Sequence, residues 1–208
     1  NCSFDNSLEA GFALYYGTAS FENCSFSNNG EDGFKGYESP VSFENCSFNN
    51  NVDYGGAQYS STATFNNCSL DNNLGGGLMS YNCYITASNS SFDNNQEGMA
   101  LMLYDGSNCS MINCSIANNQ GRGVGINSSD GVFENCTINY NSPGATIHNT
   151  TDSAPLSPLF NNCTFIGNNW EWGGGAVNIT NMDPIFKNTL FQSNVTPSTG
   201  GAISINNS

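Results

Sequence analysis

Seven of the nine cysteines recur in one column, Cys2, Cys24, Cys46, Cys68, Cys114, Cys136 and Cys163, with Ser90 and Thr189 in the same frame. Thiols at a fixed step suggest a disulfide array or a metal-binding array, because sulfur is both oxidisable and a metal ligand. Neither use fits the spacing. If each step is one strand of a stacked sheet, successive thiols lie about 4.8 Å apart with parallel side chains that are not aimed at one another. No Cys-x-x-Cys pair or histidine cluster supplies zinc-like spacing, and His148 stands alone. The column is expected to hold buried, reduced thiols, with no metal and no cofactor. Cys83 and Cys109 lie outside it, in neighbouring repeats, and form the one candidate disulfide.

Acid–base chemistry needs carboxylates in company with a basic residue that binds or stabilises negative charge. The only arginine, Arg122, is flanked by Gly121 and Gly123 and has no acidic cluster in its own segment. No catalytic residue is assigned, and a non-enzymatic protein is expected. Glu22 and Glu44 fall in one outward column. Two such carboxylates repel by roughly 1 kcal/mol in water, while each buried Phe contributes about 1.5 to 3 kcal/mol, so the pair needs no bound ion. Trp170 and Trp172 share an inserted loop. They are candidates for stacking on sugars, against the alternative that the loop folds its own aromatics onto the protein wall.

Fourteen Asn-x-Ser/Thr triplets are possible glycan acceptors. With 36 Asn and 40 Ser plus Thr in 208 residues, about seven are expected by chance. The excess lies in eight repeated positions, Asn1, Asn23, Asn45, Asn67, Asn89, Asn113, Asn135 and Asn162. An Asn at a recurring corner is expected to act as an internal hydrogen-bonding ladder. Glycans are therefore expected first on the triplets outside the ladder, at Asn149 above all, then at Asn127, Asn178 and Asn108, with the ladder positions less favoured.

These positions are set by a repeat. Counted from the Asn of Asn23-Cys24-Ser25-Phe26-Ser27-Asn28-Asn29, nine rungs begin at Asn1, Asn23, Asn45, Asn67, Asn89, Asn113, Asn135, Asn162 and Asn188, in steps of 22 to 27 residues. Two apolar columns flank the thiols. One runs Phe21, Phe43, Phe65, Ala87, Met111, Phe133, Phe160, Phe186, and the other Phe4, Phe26, Phe48, Leu70, Phe92, Ile116, Ile138, Phe165, Phe191. Both are expected to face a core shared by stacked rungs, since no rung can bury its apolar face alone. Glycines such as Gly55-Gly56 and Gly76-Gly77 open a second strand, and Val41-Ser42-Phe43 and Ala63-Thr64-Phe65 mark a third. Three strands per rung make a triangular, all-β coil, and the crossover rule makes it a right-handed parallel β-helix. A leucine-rich repeat has a similar period but needs Leu-x-x-Leu-x-Leu, which is missing. The largest excursion, residues 148–158, carries Pro155 and Pro158 and cannot extend a ladder.

Seventeen acidic residues against Lys35, Arg122 and Lys187 give a net charge of -14. Such a balance argues against nucleic acid and anionic membrane surfaces as partners. No run of 18 apolar residues is present and the chain opens inside a repeat, so it reads as a mature extracellular or cell-surface segment without membrane insertion.

Gly55-Gly56-Ala57-Gln58, Gly76-Gly77-Leu78-Met79, Gly174-Gly175-Ala176-Val177 and Gly200-Gly201-Ala202-Ile203, with Phe26 to Asn29, Phe48 to Asn51, Phe92 to Asn95, Phe165 to Asn168 and Phe191 to Asn194, resemble the paired GG[AILV] and FxxN repeats of the polymorphic outer-membrane proteins of chlamydiae. Ser7 departs from the final Asn, and Leu70, Ile116 and Ile138 from the Phe. The resemblance implies a surface-exposed β-helical passenger with an adhesive role and no catalytic residues. The expected protein is one solenoid over residues 1–208, structural or adhesive, and a piece of a longer array or a unit stacking end to end into a fibre. Its partners are flanking repeats or copies of itself, with glycans or a host cell surface as further ligands. Parallel β-helices also include pectin-cleaving enzymes, so a polysaccharide-binding or polysaccharide-cleaving solenoid of the pectin-lyase type is the alternative.

Overall fold

The computed structural model describes residues 1–150, 156–197 and 200–206. The centre of the excursion expected in rung seven, residues 151–155, lies outside them.

All strand pairings are parallel and link each rung to the next, so the chain winds as a coil with three sides. One side is a nine-stranded sheet that runs from Phe12–Tyr15 through Phe34–Tyr37, Tyr54–Tyr59, Gly76–Tyr81, Leu101–Tyr104, Val124–Asn127, Ala145–His148 and Val177–Thr180 to Ile203–Asn206. The second is an eight-stranded sheet from Ala19–Glu22 to Ile185–Lys187. The third is shorter than the sequence suggests. It forms a four-stranded sheet, Ser115–Ala117, Thr137–Asn139, Thr164–Ile166 and Leu190–Gln192, that continues through rungs one to five only as single bridges between Ser3, Ser25, Ser47, Ser69 and Ser91. Left-handed corners limit the length of this side. Asn23 and Asn28 both have left-handed backbone (φ 55 and 60), as do Asn45 and Asn50, Asn67 and Asn72, and Asn89 and Asn94. Only four residues remain between each pair. Asn tolerates this conformation better than other non-glycine residues, which explains much of the chain's Asn content.

Both apolar columns line the core. Phe43 stacks between Phe21 and Phe65 at ring-centroid distances of 5.5 and 5.3 Å, and Phe26 stacks on Phe48 at 4.9 Å. The two stacks meet edge to face, with Phe43 and Phe48 at 4.8 Å and 85°, the geometry that the ring quadrupole favours.

The asparagine ladder lies elsewhere than the repeated triplets predict. Asn29, Asn51, Asn73, Asn95, Asn119, Asn141 and Asn168 are buried. Each donates its side-chain amide and its backbone N–H to the Oδ1 of the next, ending at Asn194. These are the last Asn of each Phe-x-x-Asn, or of its counterpart where Leu70, Ile116 or Ile138 replaces the Phe. By contrast Asn1, Asn23, Asn45, Asn67, Asn89, Asn113, Asn135 and Asn162 are exposed. Seven of these eight, all but Asn1, take a left-handed backbone that turns the side chain outward. Their mutual contacts are partial, as in Asn67 Nδ2 to Asn45 Oδ1 at 2.7 Å and Asn113 Nδ2 to Asn89 Oδ1 at 3.3 Å.

Candidate functional site

Two columns of the nine-stranded sheet face outward. One is Tyr15, Tyr37, Tyr59, Tyr81 and Tyr104, continued by Asn127, His148 and Thr180. Sequence reasoning overlooked this tyrosine column, although its 22-residue step is visible between Tyr15, Tyr37, Tyr59 and Tyr81. The rings stack face to face, Tyr15 on Tyr37 at 4.9 Å and Tyr37 on Tyr59 at 4.6 Å, with interplanar angles of 1° and 2°. Their faces are spent on one another, so the ladder presents ring edges and hydroxyls to solvent. Burial, then the neighbouring Tyr37, pushes the Tyr59 hydroxyl up to about 12, which keeps it a neutral donor at physiological pH.

Beyond Tyr104 the aromatic column ends and a cleft of about 180 Å³ opens. The second outward column supplies its floor: Met102 pairs with Gly125, Gly125 with Thr146, and Thr146 with Asn178. A Cβ at Gly125 would collide with Met99 Sδ, so the glycine lets that thioether lie flat across the sheet. Tyr104, Asn127, His148 and Thr180 form one wall; Arg122 and Trp170, from the rung-eight insertion, form the other. The Arg122 guanidinium carbon sits 5.6 Å over the Trp170 ring, a cation–π contact. Of the two tryptophans expected in that loop, Trp170 is half-buried against the wall, while Trp172 is 79% exposed and lines no part of the cleft. Trp170 Nε1 is buried without a hydrogen-bond partner.

The first four thiols of the column, Cys2, Cys24, Cys46 and Cys68, line a separate groove of about 1080 Å³ beside the exposed Asn column. Cys46 Sγ donates to Glu44 O at 3.2 Å and Cys68 Sγ to Asn66 O at 3.3 Å, with longer contacts to the rung before. Thr189 Oγ1 does the same to Lys187 O and Phe160 O, and Ser90 Oγ to Ser88 O. Sulfur is therefore replaceable by hydroxyl; the column's task is to cap carbonyls at a left-handed corner. All the cysteines are free, Cys2 exposed and the others buried. A hydrogen bond from Cys68 favours the Cys46 thiolate and lowers its pKa, while that of Cys68 rises.

The expected Cys83–Cys109 disulfide is not formed. Cys109 pairs with Ile85, whereas Cys83 donates its backbone N–H to Ser107 Oγ and points its own thiol at Gln58 O and Tyr81 O. The two cysteines are thus two register positions apart. Burial pushes both thiols up. Among the described residues, no group of three or more His, Cys, Asp or Glu is arranged to hold a metal.

The glycan candidates also change rank. Asn149, expected to be most accessible, is 8% exposed, and its Oδ1 accepts from Ser128 Oγ. Asn127 and Asn178 are half-buried in strands, and Asn108 is exposed. The repeated triplets, expected inside, are the accessible ones.

A coil of parallel strands with a shared aromatic core and a buried Asn ladder defines a β-solenoid. Residues 1–102 and 57–195 match the family model described as the right handed beta helix region, and the chain belongs to that family. Comparison with curated proteins finds no match. Among solved structures, the Streptococcus pneumoniae surface protein and adhesin PfbA is similar at 11% identity and a TM-score of 0.35, over 88% of this chain and 67% of that one.

Proposed function

We propose that this chain is a non-enzymatic extracellular solenoid with an adhesive role, and that it engages its ligand on the outward face of the nine-stranded sheet. The observation that carries this reading is the gathering of rare residues on that face: the single arginine, the single histidine and one of two tryptophans converge on one cleft. Pockets with a few convergent polar groups on an apolar floor are the usual form of a small-ligand site. The resemblance of the GG[AILV] and FxxN repeats to polymorphic outer-membrane proteins supports a surface setting. No carboxylate lines the cleft among the described residues. Glycoside hydrolysis commonly uses a carboxylate pair, so this supports binding over hydrolysis. At the two ends Phe4, Phe12, Phe21, Phe186, Phe191 and Ile203 are only partly buried, and a flanking repeat or a second copy stacked there would cover them.

The experiment is retention of the purified chain on immobilised cells and glycans, alongside an assay for turnover of uronic-acid and neutral polysaccharides with and without calcium. Retention without turnover is expected. Turnover that Arg122→Ala abolishes would replace this reading with an enzymatic one.

A further inference from the structure

We propose that the cleft is the seat of a single acidic sugar residue, its carboxylate held by Arg122 and its hydroxyls by Thr146, His148, Asn178 and Thr180. The proposal rests on the reading of this face as a binding surface and adds the ligand class.

The first argument is the state of the polar groups. On the third side of the coil the outward hydroxyls and carboxylates are tied to one another, as in Ser91 to Asp71 and Ser115 to Asp93. Among the described residues the side chains of Arg122, Thr146, His148, Asn178 and Thr180 make no such bond and no ion pair. Five side chains with unused donors and acceptors therefore converge on one hollow. Polar groups that the fold does not consume are those a polyhydroxylated ligand can use without displacing protein hydrogen bonds.

The second argument is charge. Lys35, in an early rung, is neutralised by Glu31 at 2.6 Å and Asp32 at 3.2 Å. Among the described residues Arg122 has only the Trp170 ring, at 5.6 Å. Glu97 lines an adjoining hollow with it but stays beyond ion-pair reach. A cation–π contact uses none of the guanidinium N–H groups, so the fork is left for a planar, bidentate acceptor, which a carboxylate supplies. The net charge of -14 repels free anions at long range, so selectivity must come from contact inside the cleft, within a Debye length of about 8 Å.

The third argument is size. A hollow of about 180 Å³ is smaller than the roughly 300 to 1,000 Å³ of pockets for drug-sized ligands. It suits one ring whose apolar side rests on Met99 and Met102, so the ligand is a terminal residue or one exposed unit of a glycan.

The test is a titration of the Trp172→Phe chain, in which emission reports Trp170 alone, with sodium glucuronate, methyl glucoside and sodium sulfate. Saturable glucuronate binding is expected, at least tenfold tighter than either control. Arg122→Gln should lose at least tenfold, Arg122→Lys should recover only part of it, and Asn178→Ala on the other side of the cleft should lose several-fold. Hydrogen-exchange protection of Val124–Asn127 reports whether each variant keeps its fold. Equal binding of methyl glucoside, equal binding of sulfate, no glucuronate binding, or unchanged affinity in folded Arg122→Gln would each overturn the proposal. Adhesion is scored separately. Wild-type chain that fails to adhere anywhere removes the adhesive reading, whereas folded Arg122→Gln that adheres as wild type does removes only the acidic-sugar assignment.

Discussion

Asn73 Oδ1 accepts two hydrogen bonds from one residue of the preceding rung, the Asn51 backbone N–H at 2.9 Å and the Asn51 side-chain amide at 3.0 Å. The oxygen thus closes a corner that no strand pairing reaches. Asn73→Ala leaves both donors buried without a partner, and at about 1 to 3 kcal/mol each the loss should be roughly 2 to 6 kcal/mol. Urea denaturation measures it. Wild-type protection of the Asn51 amide from exchange in this variant would show that the ladder is not what holds the corner.

Phe43→Ala should cost about 3 to 5 kcal/mol, the usual range for emptying a buried aromatic site. Phe43 touches the rings of Phe21 and Phe65 in adjacent rungs and of Phe26, Phe34 and Phe48 around it. Exchange should accelerate in rungs one to three together. Acceleration confined to Val41–Glu44 would show that the void is not shared between layers.

The Phe columns could be read in advance because one 22-residue step and strict alternation within a strand both point Phe26 and Phe43 inward. Alternation fails at a left-handed residue. Glu22 and Asn23 both face out and Cys24 faces in, so the corner Asn expected to form an internal ladder lies outside. Asn28 and Asn29 show the same break, the first outward and the second at 1% exposure. The cleft was illegible for a different reason. Met99, Arg122, His148 and Trp170 share no period, and three rungs of winding separate the first from the last. Arg122 looked isolated only because its neighbours in sequence were weighed instead of its neighbours along the coil.

Native-state alkylation should separate the thiols by burial. Cys2, exposed at the first rung, should react first, and Cys109, buried and with its thiol pushed up, last. Cys46, with its lowered pKa and its place in the groove, should precede Cys68. Mass mapping without reduction should find Cys83 and Cys109 as separate thiols. A linked peptide pair would mean that their register differs from the one described.

When the chain is made in a eukaryotic secretory pathway, glycans should fall on exposed Asn23, Asn45, Asn67 and Asn108 before buried Asn149. Adjacent positions in this exposed column lie one strand apart, about 4.8 Å, so crowding should leave alternate sites empty on any one molecule. Peptide mapping after deglycosylation reads occupancy. Full occupancy at Asn149 with Asn45 bare would contradict the exposure argument.

Stability should rise as pH falls from neutral towards about 4, opposite to the usual acid response of paired carboxylates. Asp71 accepts from the Asp93 backbone at 2.7 Å and Ser91 Oγ at 2.7 Å, and Asp93 from the Ala117 backbone at 2.6 Å. Burial nevertheless dominates and raises both pKa values above the ordinary 3.8. A group whose pKa is higher folded than unfolded stabilises the fold below the unfolded value and loses that contribution as pH climbs through the folded one. For Asp71 and Asp93 the loss therefore begins near 3.8 and runs upward, and self-repulsion of the -14 charge adds to it. Asn49 shows that the column does not need the charge: one rung earlier its Oδ1 accepts from the Asp71 backbone at 2.8 Å and Ser69 Oγ at 3.2 Å. Asp71→Asn with Asp93→Asn should keep the same acceptors, raise stability at pH 7 and flatten the slope between pH 4 and 7. Asp32, also raised by burial, supplies part of what slope remains. Unfolding midpoints measured across that range decide the matter. A double variant as steep as wild type, or less stable at pH 7, would mean that these carboxylates are stabilised by their bonds more than they are penalised by burial.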